Sequence, residues 1–144
     1  MFKSILVGVD GSPTATEALR RAARLADSTS ADLHVVCAYQ NATLASVGEL
    51  SLASGSVGEA LLSAAEELLA EAVKELGVDS IKVVTHAVEG EASDALIDTA
   101  EQFNCDLIVV GNRGMRGGKR LLLGSVPNRV AHHAGRDVMI VHTA

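Results

Sequence analysis

The chain has 144 residues, of which 48% are apolar, 2% aromatic and 21% charged, with a net charge of −6. That length fits one domain, residues 1–144, able to bury roughly 70% of the surface its unfolded chain exposes. The negative charge and scarcity of rings argue against a nucleic-acid partner, since phosphate backbones are not attracted and bases find little to stack on.

No apolar run approaches the roughly 20 residues of a membrane span. The first residues pass straight into Ile5-Leu6-Val7 without the pattern of a signal peptide. The expectation is a cytoplasmic protein that meets no membrane. Cys37 and Cys105 have no CxxC spacing and lie in or beside apolar runs, so both read as reduced core thiols.

In chain order, Ser4 to Asp10 reads as a buried strand. Gly11-Ser12-Pro13 is a turn into a helix, with Ser12 as N-cap and Pro13 at the first helical position. Ala15, Ala18, Leu19, Ala22, Ala23 and Ala26 recur at helical spacing and form a small-sided face that should lie close to a sheet. Leu33 to Tyr39 makes a second strand. From Gln40 to Ser56 the composition turns to Ala, Ser, Gly, Asn and Thr, long for a connection, and the segment is expected to be mobile or a lid. Val57 to Leu76 carries a second helix, with Gly77 at its C′ position. Ile81 to Val88 is a third strand whose Lys82 and His86 share one side, expected to face water at an edge.

Gly90 leads into a third helix carrying Ala92, Ala95, Leu96, Thr99, Ala100 and Phe103. Leu107 to Val110 is four apolar residues in a row, suited to a strand buried on both faces. After a glycine-rich basic loop, Gly124-Ser125 opens a fourth helix, with Ser125 as N-cap and Pro127 in the first turn, ending at Gly135. Val138 to His142 is the last strand. Strands alternating with helices predict an α/β fold: an open parallel sheet covered by helices on both faces.

Ligands of such sheets bind beyond the carboxyl ends of the strands, where the strand order reverses. Two strand ends carry turn chemistry there: Asp10-Gly11-Ser12, and Gly111-Asn112-Arg113-Gly114. An order of 3-2-1-4-5 would bring them to one crevice. Gly111 and Gly114 allow close backbone approach, and the start of the fourth helix offers free N–H groups and the positive end of a dipole, suited to phosphate. Arg113, Arg116, Lys119 and Arg120 are four of twelve basic residues, and stand in this same stretch. The P-loop pattern is absent, since Gly118-Lys119 is followed by Arg120, and no G-x-G-x-x-G follows the first strand. His132 and His133 are adjacent on a helix and cannot share a face, so they suggest no metal site. His34, His86 and His142 alternate with apolar neighbours and read as structural or exposed.

Val9-Asp10-Gly11-Ser12, Val88-Glu89-Gly90 and the spacing Gly111-x2-Gly114-x9-Gly124-Ser125 together resemble the universal stress protein family over the whole chain, the last being the pattern of its ATP-binding branch. The resemblance implies a Rossmann-like five-stranded sheet of order 3-2-1-4-5, usually as a homodimer. It implies a site in which Asp10, with Val9 beside it, meets the ribose or phosphates. Ala38 and Val110 would flank the adenine, and Gly111, Arg113, Gly114, Gly124, Ser125 and Val126 would hold ribose and phosphates. Arg113 stands where the family often has His, and Pro127 removes one N–H from the helix start. The ligand implied is ATP, with or without Mg2+. Cyclic AMP or another adenine nucleotide is the alternative, because a phosphate cradle does not count phosphates. No residue stands out as a base or water-positioning group, so the expected role is regulatory or stress-response binding, with weak ATP hydrolysis at most. Val138-Met139-Ile140-Val141 is apolar on both faces at the expected edge, which predicts an antiparallel two-fold homodimer through Val138 to His142.

Overall fold

The structure, a computed structural model, describes residues 1–40, 54–113 and 124–143. Its elements are β1 (Ser4–Gly8), α1 (Pro13–Thr29), β2 (Asp32–Tyr39), α2 (Ser54–Leu76), β3 (Val83–Glu89), α3 (Ala92–Gln102), β4 (Leu107–Gly111), α4 (Ser125–His133) and β5 (Asp137–Val141). The strands form one parallel sheet, as the alternation predicts, in the order β3-β2-β1-β4-β5 that the family resemblance implies.

The period of two in a strand sorts the core onto two faces. Ile5, Val7, Leu33, Val35, Leu107 and Val109 pack under α1 and α2. Leu6, Val36, Ile108 and Val110 point the other way, toward α3 and α4. This double covering explains why β1 and β4 read as unbroken apolar runs.

At the start of α1 the Ser12 hydroxyl oxygen accepts the Ala15 N–H at 3.2 Å, and Pro13 follows, as predicted. The alanine face of α1 is buried throughout, so the helix axis can approach the sheet without displaced side chains. Of the Gln40 to Ser56 segment expected to be mobile or a lid, residues 41–53 lie outside the described residues, and Ser54 to Ser56 are instead the first residues of α2, which starts earlier than Val57. Gly114, Arg116, Lys119 and Arg120 also lie outside the described residues.

Three further expectations are corrected. The N-cap of α4 is Gly124, and Ser125 is its first helical residue. The Gly124 N–H donates to the Asn112 carbonyl at 2.9 Å, which sets where the helix begins and moves Ser125 one place inward. His86 does not face open water. Its ring stacks on His34, with centroids 5.2 Å apart and planes 10° off parallel, and Phe103 packs against it at 4.5 Å. The end of α3 covers that side of the edge strand. Phe103 is the C-cap of α3, not a residue of its buried face, and is 40% exposed.

Candidate functional site

The chain leaves β1 toward β2 on one side of the sheet, and β4 lies on the other side of β1. Beyond the carboxyl ends of β1 and β4 the described residues consequently leave a gap, the place where open α/β sheets take their ligands.

A crevice opens there. Its apolar walls come from Val9, Val36, Ala38, Leu96 and Val110, and its mouth holds Asp10, Gly111, Arg113 and Val126. Val36, Ala38 and Val110 reach it from the α3 and α4 side of the sheet because they share one phase of the strand alternation. Several sequence-predicted residues are thereby brought together: Val9, Asp10, Ala38, Val110, Gly111, Arg113 and Val126 all line one hollow. Gly124 adjoins it, since a Cβ built there would stand 3.4 Å from the Arg113 Cα. Ser125 is exposed and lies outside the walls of the hollow. Gly114 lies outside the described residues.

Local chemistry fixes the mouth. One Asp10 carboxylate oxygen accepts the Ser12 N–H at 2.9 Å, turning the chain sharply after β1. Gly11 sits at φ +83°, a region in which a Cβ would be strained. Gly111 is required by crowding instead: a Cβ there would meet the Thr14 methyl at 2.4 Å. The start of α1 and the end of β4 thus touch, with the Thr14 methyl filling the space a side chain at position 111 would need.

The start of α4 faces the same region. The Gly124 N–H is engaged by Asn112, and Pro127 has none, which leaves the N–H groups of Ser125 and Val126 without an intrahelical partner at this end. Two N–H groups and the positive end of a short dipole suit one anionic group.

On the far wall α3 begins beside Ala92. Its N-cap is Glu91, whose carboxylate accepts the N–H groups of Ser93 and Asp94 at 3.0 and 3.1 Å and a short bond from the Ser93 hydroxyl. Burial pushes the Glu91 carboxyl up, but the Ser93 and Asp94 hydrogen bonds together with the Arg129 guanidinium hold it below its ordinary value. Behind β2, burial pushes the Cys37 thiol up, and the Asp10 carboxylate adds to this, so Cys37 stays a neutral thiol.

Sequence reading missed Val36, Leu96 and Asn112. Val36 and Leu96 carried a signal, being apolar residues in phase with Ala38 and Ala92. Asn112 read only as a spacer between glycines. A larger hollow of about 250 Å³ lies between α1 and α2, but Glu71 and Glu75 stand on its walls beside the single Arg20, and that balance disfavours an anion.

Fold and crevice together define the class: a doubly wound α/β protein with a ligand crevice at its topological switch point. The sequence model of the universal stress protein family matches residues 1–142. The chain belongs to the universal stress protein family.

Universal stress protein A homolog 1 of Coxiella burnetii is 36% identical over 141 residues, 97% of this chain and 96% of that protein. A crystal structure of a universal stress protein in complex with cAMP matches with a TM-score of 0.68 and 31% identity, over 99% of this chain and 98% of that one. UspA from Lactobacillus plantarum matches with a TM-score of 0.83 and 23% identity over 96% and 97%, a likeness that speaks for the fold alone. Among the described residues no helix is long and apolar enough to cross a membrane.

Proposed function

We propose that this chain is an adenine-nucleotide-binding regulatory protein that takes ATP in the crevice between β1 and β4. The observation that carries this reading is the pairing of an apolar slot with a polar, glycine-floored mouth. A purine needs flat apolar walls, and Ala38, Val36 and Val110 supply them. Ribose and phosphates need hydrogen-bond donors and positive charge. Arg113 and the first N–H groups of α4 supply these, with Gly111, Gly114 and Gly124 allowing the backbone near.

Asp10 meets the ribose, or holds Mg2+ when the ion accompanies the phosphates. Ser125 donates its hydroxyl to a phosphate. As the first residue of α4 its hydroxyl is not the helix cap, so that role does not compete with capping. The protein acts as a homodimer through its β5 edge and works in the cytoplasm.

Cyclic AMP is the second reading, favoured by the relative of 31% identity whose structure holds it. Calorimetric titration of ATP and of cyclic AMP into the same preparation separates the two. Ala38→Phe, which fills the slot, should lower affinity for the bound nucleotide by on the order of a hundredfold while circular dichroism stays unchanged. Unaltered affinity in a folded Ala38→Phe protein would move the purine out of this crevice.

A further inference from the structure

We infer that Asn112 is a positioning residue, fixing the mouth of the crevice by tying β4's end and the start of α4 to the residues that follow β5. Its effect on affinity rests on the nucleotide reading above; its effect on the loop does not.

Gly111 and Arg113 line the crevice, and Asn112 between them does not. It is buried, at 3% exposed, so its polar groups must find partners inside the protein. Its backbone N–H donates to the Val141 carbonyl at 2.9 Å, and its carbonyl accepts the Gly124 N–H at 2.9 Å. Its Oδ1 accepts the Thr143 N–H at 3.0 Å and lies 3.0 Å from the Thr143 hydroxyl. Its Nδ2 donates toward the Thr143 carbonyl at 3.5 Å and faces His142 Nδ1 at 3.4 Å. The Thr143 hydroxyl also stands 3.1 Å from the Thr14 hydroxyl, at the start of α1.

One residue therefore joins four parts of the fold. Both lone pairs of Oδ1 are taken up by Thr143, and the amide NH2 is turned the same way, so the side chain has nothing left to offer a ligand. What it controls is where Gly124 lies, and with it the first free N–H groups of α4. Eleven residues separate Asn112 from Gly124, and the hydrogen bond between them fixes the two ends of that excursion side by side. A bond that fixes Gly124 should matter to any ligand held by the N–H groups that start α4, because positioning those groups on binding then costs less.

Two variants test this. Asn112→Ala removes the side-chain bonds and leaves both backbone bonds in place. Thr143→Pro removes the partner's N–H and hydroxyl instead. The first readout is amide exchange at Gly124 in ligand-free protein: protection should fall on the order of tenfold in each variant, as expected for loss of one to two hydrogen bonds, while β1 amides keep theirs.

The second readout is ATP affinity, which should fall on the order of tenfold in either single variant and no further in the double variant, since both act through one contact. Unchanged Gly124 protection in Asn112→Ala, or fully additive losses in the double variant, would overturn the inference. Wild-type protein that binds no ATP would instead defeat the nucleotide reading, and the exchange measurement would still decide the role of Asn112.

Discussion

The two edges of the sheet are built on different terms. The β3 edge is ladder-paired to β2 over seven residue pairs and keeps Lys82, Thr85 and Glu89 exposed to water. Its inner side is closed by the stacked rings of His34 and His86 with Phe103 against them. The β5 edge is shorter, pairs with β4 over five residues, and presents Met139 at 37% exposed with Val138 and Ile140 half-buried. Exposed polar residues discourage pairing at the first edge, while the second runs apolar from Val138 to Val141. An edge strand's chemistry, more than its position, decides whether it accepts a partner.

The largest effect should come from breaking the β5 edge. The Val141 carbonyl accepts from Asn112, so the backbone groups of Val141 point inward to β4, and those of Ile140, one residue earlier, point outward. Ile140→Pro removes an outward donor and leaves the β4 ladder intact. Two-fold symmetry counts the loss twice, about 2–3 kcal/mol, or roughly thirty- to a hundredfold in the dimer constant. Analytical ultracentrifugation is expected to show dimer for wild type and monomer for Ile140→Pro; a wild-type protein that is monomeric at micromolar concentration would leave the two edges alike.

Next in size is the pH response of the β3 edge. His34 Nδ1 and His86 Nε2 lie 2.9 Å apart, a distance that needs one proton between them. Burial pushes both imidazoles below their ordinary value; Asp32 opposes this at His34, Lys82 reinforces it there, and His34 reinforces it at His86. A lowered folded-state value means that stability is full above the unfolded value of about 6.5 and is lost as pH falls through the folded values. Urea midpoints should drop between pH 7 and 5 in wild type. His86→Phe should flatten that drop, and an unchanged pH slope in this variant would show that the pair does not control it.

A smaller loss is expected from Glu91→Ala, which removes the cap of the helix that shields the β3 side. Loss of an N-cap costs about 1 kcal/mol, and the buried Ser93 hydroxyl also loses its acceptor. A urea midpoint within error of wild type would show that the cap is dispensable. Ser125→Ala should be smallest of all in stability, below about 0.5 kcal/mol as for an exposed non-capping site, yet should weaken ATP binding on the order of tenfold. Equal ATP titration curves for Ser125→Ala and wild type would remove Ser125 from the site.

The strand order came with the family resemblance, and two kinds of signal in the residues agreed with it. Unbroken apolar runs marked β1 and β4 as strands covered on both faces, and turn residues stood at the ends of those same strands. Ala38 and Val110 of the crevice walls came with the family resemblance, and Val36 shares their strand phase but was missed. What else escaped was long-range. Gly124 and Ser125 are both acceptable caps in isolation, and only the Asn112 carbonyl, twelve residues back, chooses between them. Alternation placed Lys82 and His86 on one side of a strand but carried no information that Phe103, at the end of α3, would cover His86. Asn112 looked unremarkable because its partners belong to residues at the far end of the chain.

The parallel sheet also separates the two ends of the described chain. Lys3 and Ser4 are held by the Asp106 carboxylate at the amino ends of the strands. Thr143 lies at the carboxyl ends, beside Thr14 and Asn112. A strand of five residues spans about 16 Å, so a dye or affinity handle placed before Lys3 stands at least that far from the crevice. The same attachment at Thr143 would press on the residue that Asn112 grips. The choice of fusion site is thus an experimental variable here: an attachment at Thr143 would itself disturb the crevice, and silent handles belong before Lys3.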